Sequence, residues 1–130
     1  MTELNSKVAL ITGGSKGIGY GIAQALVNQG MHVAVTSRSE TAALKAAEAL
    51  NSGVETGHAI GLEADVRSFE GQQRAVAKVI DRFGRIDVVI DNAGLGHFAS
   101  VEDLTIEQWK ETIDTNLSGA FYTLKATLDQ

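Results

Sequence analysis

The 130-residue chain contains no cysteine and no proline. Without cysteine there can be no disulfide, no thiolate nucleophile and no cysteine-ligated zinc, a pattern compatible with a reducing compartment. Without proline, helices must be ended by glycine or by polar caps. Long charge runs are also missing: 16 acidic and 11 basic residues are interspersed, giving a net charge of -5. Nothing therefore suggests a nucleic-acid or polyanion surface. Apolar runs are short. Val8 to Ile11 follows the polar segment Met1 to Lys7 and is far too brief for an export signal or a membrane span, so a cytoplasmic protein without membrane contact is expected. His32, His58 and His97 lie far apart in the sequence, none at ligand spacing from another, and no metal site is expected.

What is present is an ordinary soluble composition, 44% hydrophobic and 21% charged, enough for one domain with its own core. Short, mostly apolar and often β-branched segments recur at Val8–Ile11, Val33–Thr36 and Ile86–Ile90, with a weaker one at His58–Glu63. These read as strands buried on both faces. Helical patterns lie between them. Ile18, Ile22, Ala25 and Leu26 mark one face, and Val76, Val79, Ile80 and Phe83 another. Gly30 and Gly84 stand as helix stops, Ser39 and Ser68 as helix starts. Thr105-Ile106-Glu107-Gln108 has the form of a capping box, followed by a stripe through Trp109, Ile113, Leu117, Ala120, Phe121, Leu124 and Leu128. Alternating strands and helices imply an α/β fold with a doubly wound parallel sheet.

Between the first strand and first helix lies Thr12-Gly13-Gly14-Ser15-Lys16-Gly17-Ile18-Gly19. The first N–H groups of a helix lack intrahelical partners and carry the positive end of its dipole, so such a turn suits a phosphate. Spacing alone is weak support: with 14 glycines in the chain, a match at three fixed positions arises by chance in roughly 15% of such sequences. Context decides, because the turn directly joins a strand to a helix. A P-loop is excluded, since Lys16 precedes Gly17 where that motif needs Gly-Lys followed by Ser or Thr.

Thr-Gly-x-x-x-Gly-x-Gly at Thr12–Gly19, Asp65-Val66 after the third strand and Asn92-Ala93-Gly94 after the fourth together resemble the short-chain dehydrogenase/reductase family, over the whole chain. Asn116, within Thr115-Asn116-Leu117-Ser118-Gly119, is a fourth matching element. The resemblance implies a Rossmann-type sheet in strand order 3-2-1-4. It also implies a pyrophosphate lined by Gly13, Gly17 and Gly19, with Ile18 beneath it at the start of the helix, Ser15 among the cofactor-binding residues of the turn, and the adenine amino group donating to Asp65 beside Val66. Asn92, Ala93 and Gly94 would pass the cofactor ribose, and Asn116 would bend its helix and hold a water in a proton relay. Asp91 departs from the pattern, standing where a second asparagine is common; an ionised aspartate cannot donate from its side chain, so local bonding must differ.

Charge argues for the cofactor. Folds that prefer NAD place an acid at the end of the second strand, roughly 20 residues past the glycines. This chain has Thr36-Ser37-Arg38 there. Arg38 suits a 2'-phosphate, and Lys16 resembles a second basic residue of NADP-preferring relatives. NADP is therefore expected ahead of NAD. Glu40 argues the other way, but its position fits the first turn of a helix, where negative charge is favoured.

Family members move a hydride between the nicotinamide and a carbonyl or alcohol, using a serine, a tyrosine and a lysine four residues after that tyrosine. Tyr20 and Tyr122 do not supply this pair: Gln24 and Ala126 stand at the lysine position. The expected organisation is a single NAD(P)-binding domain over 1–130, cut short after the helix carrying Asn116. The alternative is a non-catalytic dinucleotide-binding module or a degenerate, truncated relative of such an enzyme. An apolar fourth strand at the sheet edge and the uncovered stripe of the last helix lead us to expect a homo-oligomer.

Overall fold

The computed structural model describes residues 3–130; Met1 and Thr2 of the polar N-terminal segment lie outside the described residues. Four parallel strands, β1 (Val8–Ile11), β2 (His32–Ser37), β3 (His58–Glu63) and β4 (Val88–Ile90), form one sheet in the order β3-β2-β1-β4. Their registers are set by pairs such as Ala9 with Val33, Ala9 with Val88, and Val33 with Ala59. Helices α1 (Gly17–Asn28), α2 (Glu40–Asn51), α3 (Phe69–Phe83), α4 (Ile106–Ile113) and α5 (Gly119–Leu128) complete the fold, α4 and α5 being joined by a π-helical turn at Asp114–Ser118. None of these helices is long and apolar enough to cross a membrane.

Alternation along the strands builds two cores. Ala9, Ile11, Val33, Val35 and Ala59 pack against α1 and α2 through Ala23, Val27, Ala46, Ala47 and Leu50. Val8, Leu10 and Ala34 point the other way, onto Val76 and Val79 of α3 and Ala126 of α5. Central β1 is buried along its whole length, whereas every residue of edge strand β4 is only half-buried. β4 lies beyond β1 on the side away from β2, so the strand order reverses between β1 and β4. Open α/β sheets bind ligands at such a reversal, outside the carboxyl ends of the strands.

Local chemistry sets the helix ends. Ser39 accepts from Ala42 N at 3.2 Å and Ser68 from Gly71 N at 3.0 Å, each satisfying an otherwise unpaired first-turn donor. Thr105 and Gln108 form both bonds of the capping box, each 3.1 Å long. Gly84 ends α3 at φ +80°, a left-handed conformation that glycine adopts without steric cost.

Two sequence expectations need correction. The fourth strand begins at Val88, not Ile86, because the Asp87 carboxylate turns aside to accept from Val8 N at 2.9 Å and to pair with Arg85 at 2.6 Å. Of the face expected on α1, Ile22 and Leu26 pack half-buried against the core, but Ile18 is 78% exposed and Ala25 is exposed as well, and the fully buried residues are Gly19, Ala23 and Val27. Close approach of this helix to the sheet needs small residues, which outweighs the greater hydrophobicity of isoleucine. The C-terminal stripe lies on the surface, with Leu117, Phe121, Leu124 and Leu128 exposed, the uncovered face that the sequence led us to expect. Thr115, Gly119, Thr123 and Ala126 face inward instead, and Gln72 of α3 donates to the Thr123 hydroxyl at 2.7 Å.

Candidate functional site

Thr12, fully buried at the end of β1, organises the carboxyl end of the sheet. Its N–H donates to Ile90 O at 3.1 Å, tying the glycine turn to β4. Its hydroxyl accepts from Asn92 N and Ala93 N at 3.1 and 3.0 Å and donates to Asp91 Oδ1 at 3.4 Å. The Asn92 amide returns the contact, donating to Thr12 O and Gly13 O, both at 3.1 Å. Gly14 N completes the unit by donating to Thr36 O on β2 at 3.1 Å.

Two glycines make this closeness possible. Gly13 has φ +63°, and an added Cβ would sit 3.0 Å from Ala93 Cα. At Gly19 a Cβ would meet Asn92 Nδ2 at 2.5 Å, so any side chain there would displace the amide that braces the turn. At the start of α1 no side chain caps the helix and no acid occupies the first turn, unlike α2, α3 and α4, whose N-caps are Ser39, Ser68 and Thr105.

In front of this helix end lies an open cavity of about 660 Å³. Gly13, Ser15, Lys16 and Gly17 line it from the turn, Ser37 and Arg38 from the end of β2. Asp65 and Val66 contribute from beyond β3, and Asn92, Ala93 and Gly94 from beyond β4. The other three expected residues do not line the cavity. Gly19 is buried behind it and Ile18 faces solvent. Asn116 is exposed in the π-helical turn, where its Oδ1 accepts from Leu95 N at 2.9 Å and its Nδ2 donates to Leu95 O at 2.7 Å. It thus anchors the loop after β4. Glu40 is in the first turn of α2, capped by Ser39, and does not line the cavity.

Arg67 was not foreseen from the sequence. It lines the cavity and grips Asp65 through Nη2 to Oδ2 at 2.7 Å and Nε to Oδ1 at 3.1 Å, while its backbone N–H donates to Oδ1 at 3.0 Å. An aspartate bonded to the backbone two residues on is a recognisable turn signal; the sequence does not reveal that the arginine side chain folds back onto it. Lys16, Arg38 and Arg67 thus set three cations against the single carboxylate of Asp65, making the cavity wall positive on a chain of net charge -5. The Arg67 guanidinium holds the Asp65 carboxyl below the usual range; partial burial opposes this, and the Arg67 N–H and Arg38 charge add to the lowering.

Asp91 behaves in the opposite way. Partial burial raises its carboxyl above the usual range, and the bond from Thr12 only partly offsets this. A carboxyl raised in the folded state favours folding while protonated, below its unfolded pKa, and that contribution is lost as pH rises through the folded value. Asp91→Asn keeps an acceptor for Thr12 without the charge. Its thermal midpoint is expected to exceed the parent's at pH 7, with the gap closing below about pH 4; an unchanged gap across that range would remove this account of Asp91.

Neither tyrosine reaches the cavity: Tyr122 packs on Phe69 with ring centroids 5.8 Å apart, and Tyr20 packs against the core beside α1 and α2.

A parallel sheet in the order 3-2-1-4, flanked by helices, with a glycine turn opening at its point of strand reversal, defines a Rossmann-type fold. The sequence profile of the short chain dehydrogenase family matches residues 7–130, and the chain belongs to that family. It is similar to a 3-oxoacyl-[acyl-carrier-protein] reductase of Synechocystis, with 39% identity over 97% of this chain and 51% of that protein. An alcohol dehydrogenase from the archaeon Thermococcus sibiricus, solved with 5-hydroxy-NADP, superposes with a TM-score of 0.85 at 44% identity, covering 95% of this chain and 52% of its own. A 3-ketoacyl-ACP reductase from Sinorhizobium meliloti gives 0.86 at 40% identity, covering 94% and 48%. The chain therefore spans about half the length of the relatives it matches.

Proposed function

We propose that this chain is the cofactor-binding part, a single domain over 1–130, of an NADP-dependent oxidoreductase that moves a hydride between the nicotinamide and a small carbonyl or alcohol substrate. The observation that carries the reading is the positive cavity at the uncapped start of α1, with Arg38 at the end of β2 and Glu40 turned away into α2. The residues present fit such a group. The open N-terminus of α1 and Gly13, Ser15 and Gly17 suit a pyrophosphate, Lys16 and Arg38 suit a 2'-phosphate, and Asp65 beside Val66 offers an acceptor for the adenine amino group. Behind them Gly19 keeps the turn close to Asn92, and the Ile18 N–H belongs to the first turn of α1. Asn92, Ala93 and Gly94 form the wall where the ribose would pass. When bound, the cofactor would supply the hydride.

We assign Asn116 the relay role implied by the family resemblance, which the π-helical turn around it supports. With one amide hydrogen and one lone pair engaged on Leu95, it retains one further donor and one further acceptor for a water. The apolar face made by Leu117, Phe121, Leu124 and Leu128, from 47% to 82% exposed, supports self-association. Sedimentation velocity is expected to show species larger than a monomer, and a monodisperse monomer would overturn that part of the reading.

Titration of the chain with NADPH and NADH tests the cofactor assignment. NADPH is expected to bind more tightly; equal affinities would refute the NADP preference, and no binding of either would refute the whole reading. A non-catalytic dinucleotide-binding module is the second reading, favoured by the placement of Tyr20 and Tyr122 away from the cavity. Reduction of a small carbonyl by the chain with NADPH bound would exclude that second reading.

A further inference from the structure

We propose that Arg67 is a positioning residue that fixes the Asp65 carboxylate as an acceptor on the cavity wall and thereby sets discrimination for the 6-amino group of the cofactor base. The inference rests on the dinucleotide reading above and adds to it a residue and a specificity.

Asp65 lies on the segment after β3, where a free carboxylate could turn between cavity and solvent. Three donors from one residue prevent this: the Arg67 N–H, Nε and Nη2, at 3.0, 3.1 and 2.7 Å. Nε is shared, reaching Oδ2 as well at 3.2 Å, so the carboxylate keeps acceptor capacity for one more donor. Both residues line the cavity, and their side chains are joined to each other there.

Magnitude separates orientation from stability. The side chains of Arg67 and Asp65 are 39% and 34% exposed. An ion pair this wet contributes little to folding, so its effect is local geometry. The planar guanidinium can hold a carboxylate side-on through two nitrogens, whereas a lysine ammonium supplies charge without that fork. Arg67 also favours the ionised, acceptor-only form of Asp65, in agreement with the lowered carboxyl pKa. In that form the carboxylate accepts from an amino group and repels a carbonyl oxygen at the same place.

The test is calorimetric titration of the chain with NADPH and with its hypoxanthine analogue, in which the 6-amino group is replaced by oxygen. The parent is expected to bind the analogue about tenfold more weakly, as for loss of one partly solvated charged hydrogen bond. In Arg67→Lys and Arg67→Met the ratio is expected to fall below about threefold, with the thermal midpoint nearly unchanged, as an exposed pair implies. Loss of pair geometry accounts for the Lys variant, since its charge is kept. The parent should also retain its discrimination at lower pH than Arg67→Met. Variants that keep the parent's ratio would overturn the inference while leaving the dinucleotide reading intact. Equal binding of NADPH and analogue by the parent would overturn it too. Failure of the parent to bind NADPH would overturn the dinucleotide reading, and this inference with it.

Discussion

Gly61→Ala is expected to destabilise the fold by about 2 kcal/mol, the typical cost of forcing one extra methyl into a closed space less the gain from a stiffer unfolded chain. The reason lies in how α2 sits on the sheet. A Cβ at Gly61, in the middle of β3, would overlap the carbonyl carbon and oxygen of Ala43 and lie 2.9 Å from Leu44 N. These are backbone atoms of a helix, which cannot swing aside as the end of a side chain can. To admit the methyl, α2 must lift from β3, loosening Ala43, Ala46 and Ala47, all buried beneath it. For a domain of this size the expected fall in thermal midpoint is on the order of 5–10 °C. Differential scanning fluorimetry would measure it, and a shift under about 1 °C would mean that α2 yields far more easily than a close-packed interior does. Function should respond as well, because Ser39 and Ala42 of this region line the cavity.

Arg38→Ala is expected to weaken NADPH binding about 10- to 150-fold while leaving NADH within a few-fold, the range for losing one charged hydrogen bond worth roughly 1.5–3 kcal/mol. Arg38 stands on the cavity wall next to Ser37, at the end of β2. Alanine removes both the charge and the fork that match a phosphate; lysine, which keeps only the charge, should fall between the two. Raising the salt concentration should narrow the gap between parent and variant, since part of the interaction is screened. Loss of NADH and NADPH affinity in equal measure would instead assign Arg38 to shaping the cavity, by way of its charge beside Asp65.

The central strands were legible because β1 and the middle of β2 are buried on both faces and carry the β-branched residues this demands, as at Val33 and Val35. Helix starts were legible for a local reason: Ser39, Ser68 and Thr105 cap by bonds to residues three positions on, so sequence spacing is the interaction itself. Helix faces were less so. Hydrophobicity placed Ile18 inside, whereas the contact there is made by Gly19, and Gly119 does the same on α5; these glycines let backbone approach Asn92 and Val66. Close approach is a property of two distant segments, and neither segment alone encodes it. Most of the expected cavity residues follow from a local arrangement, a strand end and the turn after it. Arg67 did not, because its role depends on the direction in which its side chain folds. The five-residue π-helical turn at Asp114–Ser118 was expected only as a bend at Asn116, implied by resemblance.

The Thr12 hydroxyl carries a last consequence. Because it already holds Asn92 N and Ala93 N, and Asn92 already holds the carbonyls of Thr12 and Gly13, two adjoining segments of the cavity wall are fastened together before any ligand arrives. A ligand settling against them has little backbone to order, so the entropic cost of its capture falls mainly on the ligand itself. Capture should then be fast and governed by long-range attraction to Lys16, Arg38 and Arg67, with its rate falling as ionic strength rises.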